Sequence, residues 1–235
     1  PDNGTSVSMG QIPELFFSPD ASSGVAAAAA AASPTLAPSA AEVQSVASSL
    51  TAIPVCVDGS GSVSGFTVTS SGGFPTFSVA SAPRLLSGSG SWYYEATLLT
   101  GGLAQIGWVD SSFRANASRG QGVGDDSHSW AFDGQRVRRW HSGSAAYGSR
   151  WSRGDVLGCL YDSDSRSLSF RLNGVPMGVA FTGVDAAGGL LPALSLSRGE
   201  SVTLNFGASP FRFPPPGITV SVRGWKFDEA NKSAR

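Results

Sequence analysis

Residues 154–181, GDVLGCLYDSDSRSLSFRLNGVPMGVAF, hold the pattern that decides the fold. VLGCLY at 156–161 is continuously apolar, which is typical of a central strand that is covered on both faces. In SLSFRL at 167–172 apolar and polar residues alternate, which predicts a strand with one face in a core. Asn173-Gly174 then predicts a type I′ hairpin turn, because that turn needs positive φ at both central positions. The stretch therefore predicts consecutive antiparallel strands.

The period of two continues on both sides of this stretch. WYYEATLL at 92–99 sets Trp92 and Tyr94 against Tyr93 and Glu95, and SVTLNF at 201–206 alternates in the same way. Strict alternation predicts that one set faces the core and the other faces solvent. Many short strands with regular turn signals and almost no helix predict an all-β fold, a bent antiparallel β-sandwich. The side chains expected to be nearly fully buried are Trp92, Phe170 and Leu204.

The two ends of the chain differ from the middle in composition. Residues 1–52 are biased toward alanine, serine, proline and glycine, which predicts a disordered low-complexity segment. Their longest apolar run, Ala26–Ala32, is far shorter than the roughly 20 residues that a membrane-spanning helix needs. We predict a folded domain at 53–216 and a polar C-terminal extension at 217–235.

Starting the chain at Ala52 is expected to leave its thermal unfolding transition where it is in the whole chain. A low-complexity segment without a repeated apolar face adds little to a packed core. Circular dichroism of the two chains during heating checks this expectation. If the shorter chain lost cooperative unfolding, the segment would have to pack on the domain, and the boundary near residue 52 would be wrong.

Composition restricts the classes of partner that we expect and indicates the cellular compartment. Charged residues make up 14% of the chain, and the net charge is −1. We therefore expect no general attraction to nucleic acid and no membrane partner. Cys56 and Cys159 are too few for a zinc site or a disulfide framework, and Cys159 is predicted to be a buried small hydrophobe. This favours an intracellular, cytoplasmic location, and the sequons at Asn3, Asn116 and Asn231 count for little in a serine-rich chain.

The stretch DDSHSWAFDGQRVRRWH at 125–141 contains both histidines and raises the question of catalysis. His128 lies near serines and carboxylates, but strand neighbours two apart share a face without converging on a pocket. No Gly-x-Ser-x-Gly elbow precedes any serine, so we expect no catalytic triad. The pattern SWAFDGQRVRRW instead predicts strand, Asp-Gly turn and strand, with Trp130 and Phe132 in the interior. The stretch is predicted to be mainly structural.

Three further patterns raise the question of a metal, a phosphate or a nucleic-acid site. DSDSRSLSFRLN begins like a calcium loop, but it has Ser167 and Asn173 where glycine and glutamate are needed. GQGVGDD at 120–126 belongs to no strand–helix unit, and its carboxylates would repel a phosphate. We therefore predict no metal and no cofactor. Arginines beside aromatic residues at 134–154 leave an RNA-binding β-module open as an alternative.

The order of several segments resembles that of the SPRY (B30.2-type) domain. WYYE stands at the family's Trp-x-x-Glu strand, and YDSDSRSLSF stands at its Leu-Asp-x-Glu-type turn and strand. The details are similar to the SPRY domains of large RING-type ubiquitin ligases of the Kip1-ubiquitination-promoting kind and of ryanodine receptors. The resemblance implies a bent sandwich that binds protein segments through loops at one rim. The segments that carry it are WYYE, QIGW, GVGDDSHSWAFDGQRVRRWH, YGSRWSRGDVLGCLYDSDSRSLSFRLNGVPMGVAF, LLPALSLSRGESVTLNFG and PFRFPPPG.

The resemblance implies a non-enzymatic protein-interaction module of a larger machine, such as a ubiquitin ligase. A RING domain needs about eight Cys/His metal ligands, and this chain has two cysteines and two histidines. Any ligase chemistry must therefore lie outside these residues. The alternatives are a channel-type SPRY domain that makes intramolecular contacts and the RNA-binding β-module.

The family also implies which loops bind the partner. Peptide-binding members use the loop before the SW-x-(F/W)-D strand and the loop after the LLPALSL strand. Some of them place aromatic residues where this chain has Arg119 and Arg198, so their peptide specificity is not transferred. Two guanidinium groups suit an acidic or phosphorylated protein ligand, bound by a monomeric domain. The candidate rim residues are Arg119, Gly120, Gln121, Gly122, Ser197, Arg198 and Gly199.

Overall fold

The structure, a computed structural model, describes residues 54–79, 90–186 and 189–215. The predicted low-complexity segment and the C-terminal extension lie outside these ranges. The predicted all-β class is confirmed, and within the described ranges no helix is long and apolar enough to cross a membrane. The elements are β1 (Pro54–Ser64), β2 (Thr67–Val79), β3 (Ser91–Leu98), β4 (Ala104–Asp110), a 3₁₀ turn (Ala117–Arg119), β5 (Ser129–Asp133), β6 (Arg138–Trp140), β7 (Ser144–Ala146), β8 (Val156–Asp162), β9 (Ser167–Leu172), β10 (Val175–Phe181), β11 (Leu190–Leu196) and β12 (Ser201–Asn205).

The strands form one continuous antiparallel sheet that curls until its two halves face each other. The order is β10-β9-β8-β3-β12-β2-β11-β4-β5-β6-β7, with β1 paired to β2. Aromatic rings meet between the halves: Tyr94 on β3 lies 5.2 Å from Trp108 on β4, and Phe132 on β5 lies 5.8 Å from Phe170 on β9. The core therefore fills the space between the halves, and the predicted bent sandwich is confirmed.

Strand β2 connects the two halves. Its first part, Thr67–Thr69, pairs with β12, whereas Thr76–Ser78 pairs with β11. Between these parts lies Gly73, whose φ of +66° is a conformation that glycine adopts without a steric penalty. The register against β1 also shifts in this region, which is typical of β-bulges that bend a strand. We call residues 70–75 the β2 bend.

The strands predicted around the Asn-Gly turn are present as β8, β9 and β10. Asn173 and Gly174 have φ of 51° and 81°, as a type I′ turn requires. The predicted core residues are also confirmed, since Trp92, Phe170 and Leu204 are 9%, 1% and 3% exposed. Cys159 is buried as predicted, and burial raises the pKa of its thiol.

The expectation that the second face of β3 meets solvent is wrong. Glu95 is only 2% exposed, and Tyr93 is also buried, because residues 211–213 cover this face. The Glu95 carboxylate accepts hydrogen bonds from the backbone N–H groups of Arg212 (2.8 Å) and Phe213 (2.7 Å). The Tyr93 hydroxyl donates to the Phe213 carbonyl (2.9 Å), and its ring meets that of Phe211 edge-on. We call this arrangement the Glu95 clamp.

Strand β10 forms one edge of the sheet. Side chains from the opposite half donate hydrogen bonds to some of its backbone carbonyl groups. The Tyr147 hydroxyl donates to the Gly178 carbonyl (2.7 Å) and accepts from the Phe170 N–H (3.3 Å). Burial raises the pKa of Tyr147 to about 12, so the hydroxyl keeps its proton. The Arg139 guanidinium donates to the Ala180 carbonyl. These bonds cap carbonyl groups that would otherwise be open to another strand.

Candidate functional site

The first candidate loop connects β4 to β5 and presents Arg119 at its tip. Asn116 Oδ1 accepts a hydrogen bond from the Arg119 N–H, and Gly120 follows in the left-handed conformation that often ends a helical turn. Backbone hydrogen bonds between Asn116 and Gln121 close the turn. Arg119, Gly120 and Gln121 are exposed. The turn is therefore held by its own hydrogen bonds, and the arginine side chain is accessible.

Below this turn, hydrogen bonds hold the loop against β11. Ser195 Oγ accepts from the Val123 N–H (3.0 Å) and shares a hydrogen bond with Thr76 Oγ1 (2.7 Å). The Asp125 carboxylate accepts from the Gly122 N–H (2.8 Å). Gly122 is buried, and a Cβ at its position would overlap the Ser195 side chain. Of the four candidates in this loop, Gly122 thus has a packing position, and the other three face solvent.

The second candidate loop joins β11 to β12 and presents Arg198 at its apex. The Gly199 N–H donates to the Ser70 carbonyl (3.0 Å), which fixes the loop to β2. The Glu200 carboxylate accepts from the Gly102 N–H (2.8 Å), which fixes it to the β3–β4 loop. Ser197 is half-buried, whereas Arg198 and Gly199 are exposed.

Both loops border the β2 bend. The Gly199–Ser70 hydrogen bond lies at one end of the bend, and Gly122 packs against the Phe74 ring at the other. The guanidinium groups of Arg119 and Arg198 make no hydrogen bond or ion pair with any residue in the described ranges. Two uncompensated cations thus flank one segment of the rim, and we call the exposed parts of the two loops, with the bend, the β2 rim.

Carboxylates near the β2 rim are already occupied by donors of the chain. Asp58 on β1 accepts from the Ala117 N–H (2.5 Å), and Glu200 accepts from Gly102 and from the Thr100 hydroxyl (2.5 Å). Neither carboxylate forms an ion pair with Arg119 or Arg198. The arrangement can supply two forked donors to an external carboxylate or phosphate.

The stretch 125–141 is structural in the fold, as predicted. Trp130 and Phe132 belong to the core, and Asp133 is buried beneath the turn that follows β5, where it pairs with Arg136. His128 Nδ1 lies 2.9 Å from Asp110 Oδ2, so the side-chain partner of this imidazole is a carboxylate rather than a serine hydroxyl. Among the described residues, no group of three or more His, Cys, Asp or Glu side chains could hold a metal ion.

The arginines of this stretch are largely engaged within the domain. Arg136 pairs with Asp133 and stacks 4.0 Å above the Trp140 ring. Arg138 donates to Ser144 (2.9 Å), and Arg139 donates to the carbonyl of Ala180. An arginine that is already bonded is a weaker donor to a nucleic-acid backbone than a free one. For Arg136, the partner is a carboxylate from the same turn, Asp133.

Comparison with known proteins agrees with this geometry. The SPRY domain family matches residues 91–209, which is about half of the chain. The chain belongs to the SPRY family, as the sequence predicted. The matched region begins at β3, but β1 and β2 belong to the same sheet through the pairings of β2 with β11 and β12.

Relatives with different overall activities share this segment. The chain is 44% identical over 132 residues to the E3 ubiquitin-protein ligase RKP of Arabidopsis thaliana, covering 55% of this chain and 10% of the ligase. It is 33% identical over 124 residues to the probable ATP-dependent RNA helicase ddx1 of Dictyostelium discoideum, covering 53% of this chain and 15% of the helicase. The Drosophila melanogaster ATP-dependent RNA helicase Ddx1 is 33% identical over 138 residues, covering 54% and 17%.

The chain matches no more than about a sixth of the length of these curated relatives. A ligase and a helicase carry out different reactions, so the segment they have in common does not account for either activity. What they share is the SPRY segment, which is a protein-interaction module. The chain is therefore a protein-interaction module of the SPRY type.

Proposed function

We propose that the chain recruits a protein with an acidic or phosphorylated segment, which binds at the β2 rim. The observation that carries this proposal is the pair of guanidinium groups, Arg119 and Arg198. They stand exposed on two loops that border the β2 bend, and they have no partner in the described part of the chain. Arginine forms short, forked hydrogen bonds with carboxylate and phosphate, which suits such a ligand.

The anchoring of both loops supports this function. Ser195 holds the first loop from below, and Ser70 and Glu200 hold the second. A loop that is already fixed loses less conformational entropy when it binds, so more of the interaction energy appears as affinity. Exposed residues on loops over a rigid scaffold are also where proteins commonly place binding functions.

The module acts as the recruiting part of a larger protein, such as a ubiquitin ligase, and catalysis belongs to other domains. The similarity to RKP supports this placement. Two unpaired cysteines, Cys56 and Cys159, favour a reducing, cytoplasmic compartment. A channel-type SPRY domain with intramolecular contacts is the alternative. The match to two RNA helicases is the observation that keeps an RNA-binding module as a second candidate.

Replacing both arginines, Arg119→Glu with Arg198→Glu, is expected to abolish capture of specific partners from cell extract. Each removed member of an arginine–anion pair weakens binding by about tenfold or more. Both side chains are exposed, so the melting temperature should not change. The measurement is a pull-down with wild type and variant, checked for equal melting temperatures. The matched control is Arg153→Glu with Arg166→Glu, which makes the same charge change at exposed positions outside the rim loops.

Two results would argue against the β2 rim. If partners persist with the rim variant but disappear when Arg136, Arg138 and Arg139 are reversed, the basic strand β6 and its turn form the working surface. If nuclease treatment also removes the partners, and binding weakens steeply with salt, the RNA-binding function is correct instead.

A further inference from the structure

We propose that a groove beside β10 is a second docking site, which takes a bulky apolar side chain from a protein segment with flanking carboxylates. The groove is a cavity of about 480 Å³ between the β9–β10 hairpin and the loop after β7. Leu172, Val175, Pro176 and Met177 line one side, and Ser149 lines the other. This inference goes beyond the proposed function, because the groove uses none of the residues of the β2 rim.

The groove is open, and apolar side chains form the larger part of its lining. Val175 is 66% exposed, which makes it the most exposed large hydrophobic residue in the described ranges. Leu172 and Met177 lie partly buried behind it and pack against the core. The Met177 thioether accepts the Ser149 N–H (3.3 Å), and such flexible side chains adapt to differently shaped ligands. An inserted apolar side chain would remove Val175 and its neighbours from water.

The ligand binds through its side chains and not as an added strand. Strand addition needs open backbone N–H and C=O groups on the edge strand. On β10, Pro176 has no N–H, and the carbonyls of Gly178 and Ala180 already accept from Tyr147 and Arg139. The feature of this edge that can still bind a ligand is the groove, through contacts with apolar side chains.

Charge near the groove determines which residues are favoured on either side of the ligand's inserted side chain. Arg150 follows the groove residue Ser149, is exposed, and has no partner in the described part of the chain. The nearest carboxylate along the loop is Asp155, which accepts from the Ser152 N–H (2.7 Å) and from Asn173 Nδ2 (2.8 Å). Arg150 is thus a charged group next to the groove whose hydrogen-bonding groups are unused by the described residues, which favours carboxylates beside the inserted side chain.

The same observations disfavour other occupants. In a two-fold contact between copies of this chain, the same surface lies on both sides, so each copy would bring a second Arg150, whereas the carboxylate of Asp155 already accepts hydrogen bonds within its own chain. Single-stranded nucleic acid stacks its bases on aromatic rings, and the lining residues are aliphatic or polar.

The test is a phage-displayed library of random peptides, selected on the full chain. Enriched peptides are then synthesised with a fluorophore and titrated by fluorescence anisotropy. They are expected to share a bulky apolar residue beside aspartate or glutamate. Their affinity should fall about tenfold or more with Val175→Asp and with Arg150→Glu. Matched controls are Val57→Asp, at a valine that is 51% exposed on β1, and Arg166→Glu, which should retain binding. All variants should share the wild-type melting temperature.

Several results would overturn the groove proposal. These are a failure to enrich peptides, a consensus without acidic residues, and binding that survives Val175→Asp. Peptides lost only with Arg119→Glu and Arg198→Glu would support the β2 rim and reject the groove, so the two proposals fail separately. Self-association in sedimentation velocity that Val175→Asp removes would assign the groove to a second copy. Capture of a single-stranded RNA probe that depends on Val175 would assign it to nucleic acid.

Discussion

Replacing Phe170 with alanine is expected to lower the free energy of unfolding by about 3–5 kcal/mol. The ring is buried between the two halves of the curled sheet, 5.8 Å from Phe132 and 6.1 Å from Tyr147. Removing it leaves a cavity that the surrounding β-strands cannot easily close, because β9, which carries the ring, and β5, which carries Phe132, are each held by hydrogen bonds on both sides. Urea denaturation followed by tryptophan fluorescence gives the change in free energy.

The control for this substitution is Val179→Ala, at an exposed residue on the edge strand β10. It should change stability by less than about 0.5 kcal/mol. If Phe170→Ala cost no more than this control, the register of β9 would have to differ from the one described.

Replacing Glu95 with glutamine is expected to lower the free energy of unfolding by about 3 kcal/mol, although the two side chains have nearly the same shape. The carboxylate accepts from the N–H groups of Arg212 and Phe213, and its Oε1 also lies 3.2 Å from the Tyr93 hydroxyl, which shares its one hydrogen with the Phe213 carbonyl. An amide has one acceptor oxygen, so its NH₂ group must face at least one of these donors. Hydrogen bonds to a charged group contribute about 1.5–3 kcal/mol each, and a buried donor without a partner costs about 1–3 kcal/mol.

This prediction has a local signature as well as a global one. Hydrogen exchange at the amide of Arg212 or of Phe213 should accelerate before the rest of the sheet opens, because glutamine keeps one acceptor oxygen and at least one of the two amides loses its acceptor. Asp164→Asn, at an exposed carboxylate in the β8–β9 turn, is the control and should change neither measurement. Unchanged exchange at residues 212 and 213 would show that Glu95 does not hold the segment.

Local patterns in the sequence predicted the β-strands, the Asn173-Gly174 turn and the core positions, because alternation and turn chemistry are properties of neighbouring residues. They could not predict the Glu95 clamp. Alternation correctly places Glu95 on the face opposite the core. That face is buried only because residues 211–213, which are distant in the sequence, pack over it. A glutamate buried by a distant segment has the same local pattern as a glutamate in solvent.

The roles of the candidate rim residues were also not fully predictable from local sequence patterns. The family resemblance indicated the two loops, but Gly122 proved to be a packing position, and its contact, Ser195, lies on another strand. Ser195 was the one available signal, since it is a polar residue inside the apolar strand LLPALSL. A buried hydroxyl in such a strand needs a partner, and here it receives the backbone of the first loop.

The position of β2 between β12 and β11 has a consequence for how the domain is made. Thr76 on β2 bonds to Ser195 across a separation of 119 residues, so the two halves of the sheet cannot join until the last strands exist. Folds dominated by such distant pairings form slowly. Synthesis proceeds from the N-terminus. The β1–β2 hairpin therefore lacks its later partners, β11 and β12, while β3 to β10 are translated, and one edge of β2 stays unpaired during that time. Translation rate and chaperone access over this interval should therefore affect the yield of folded domain more than they would for a fold built from local contacts.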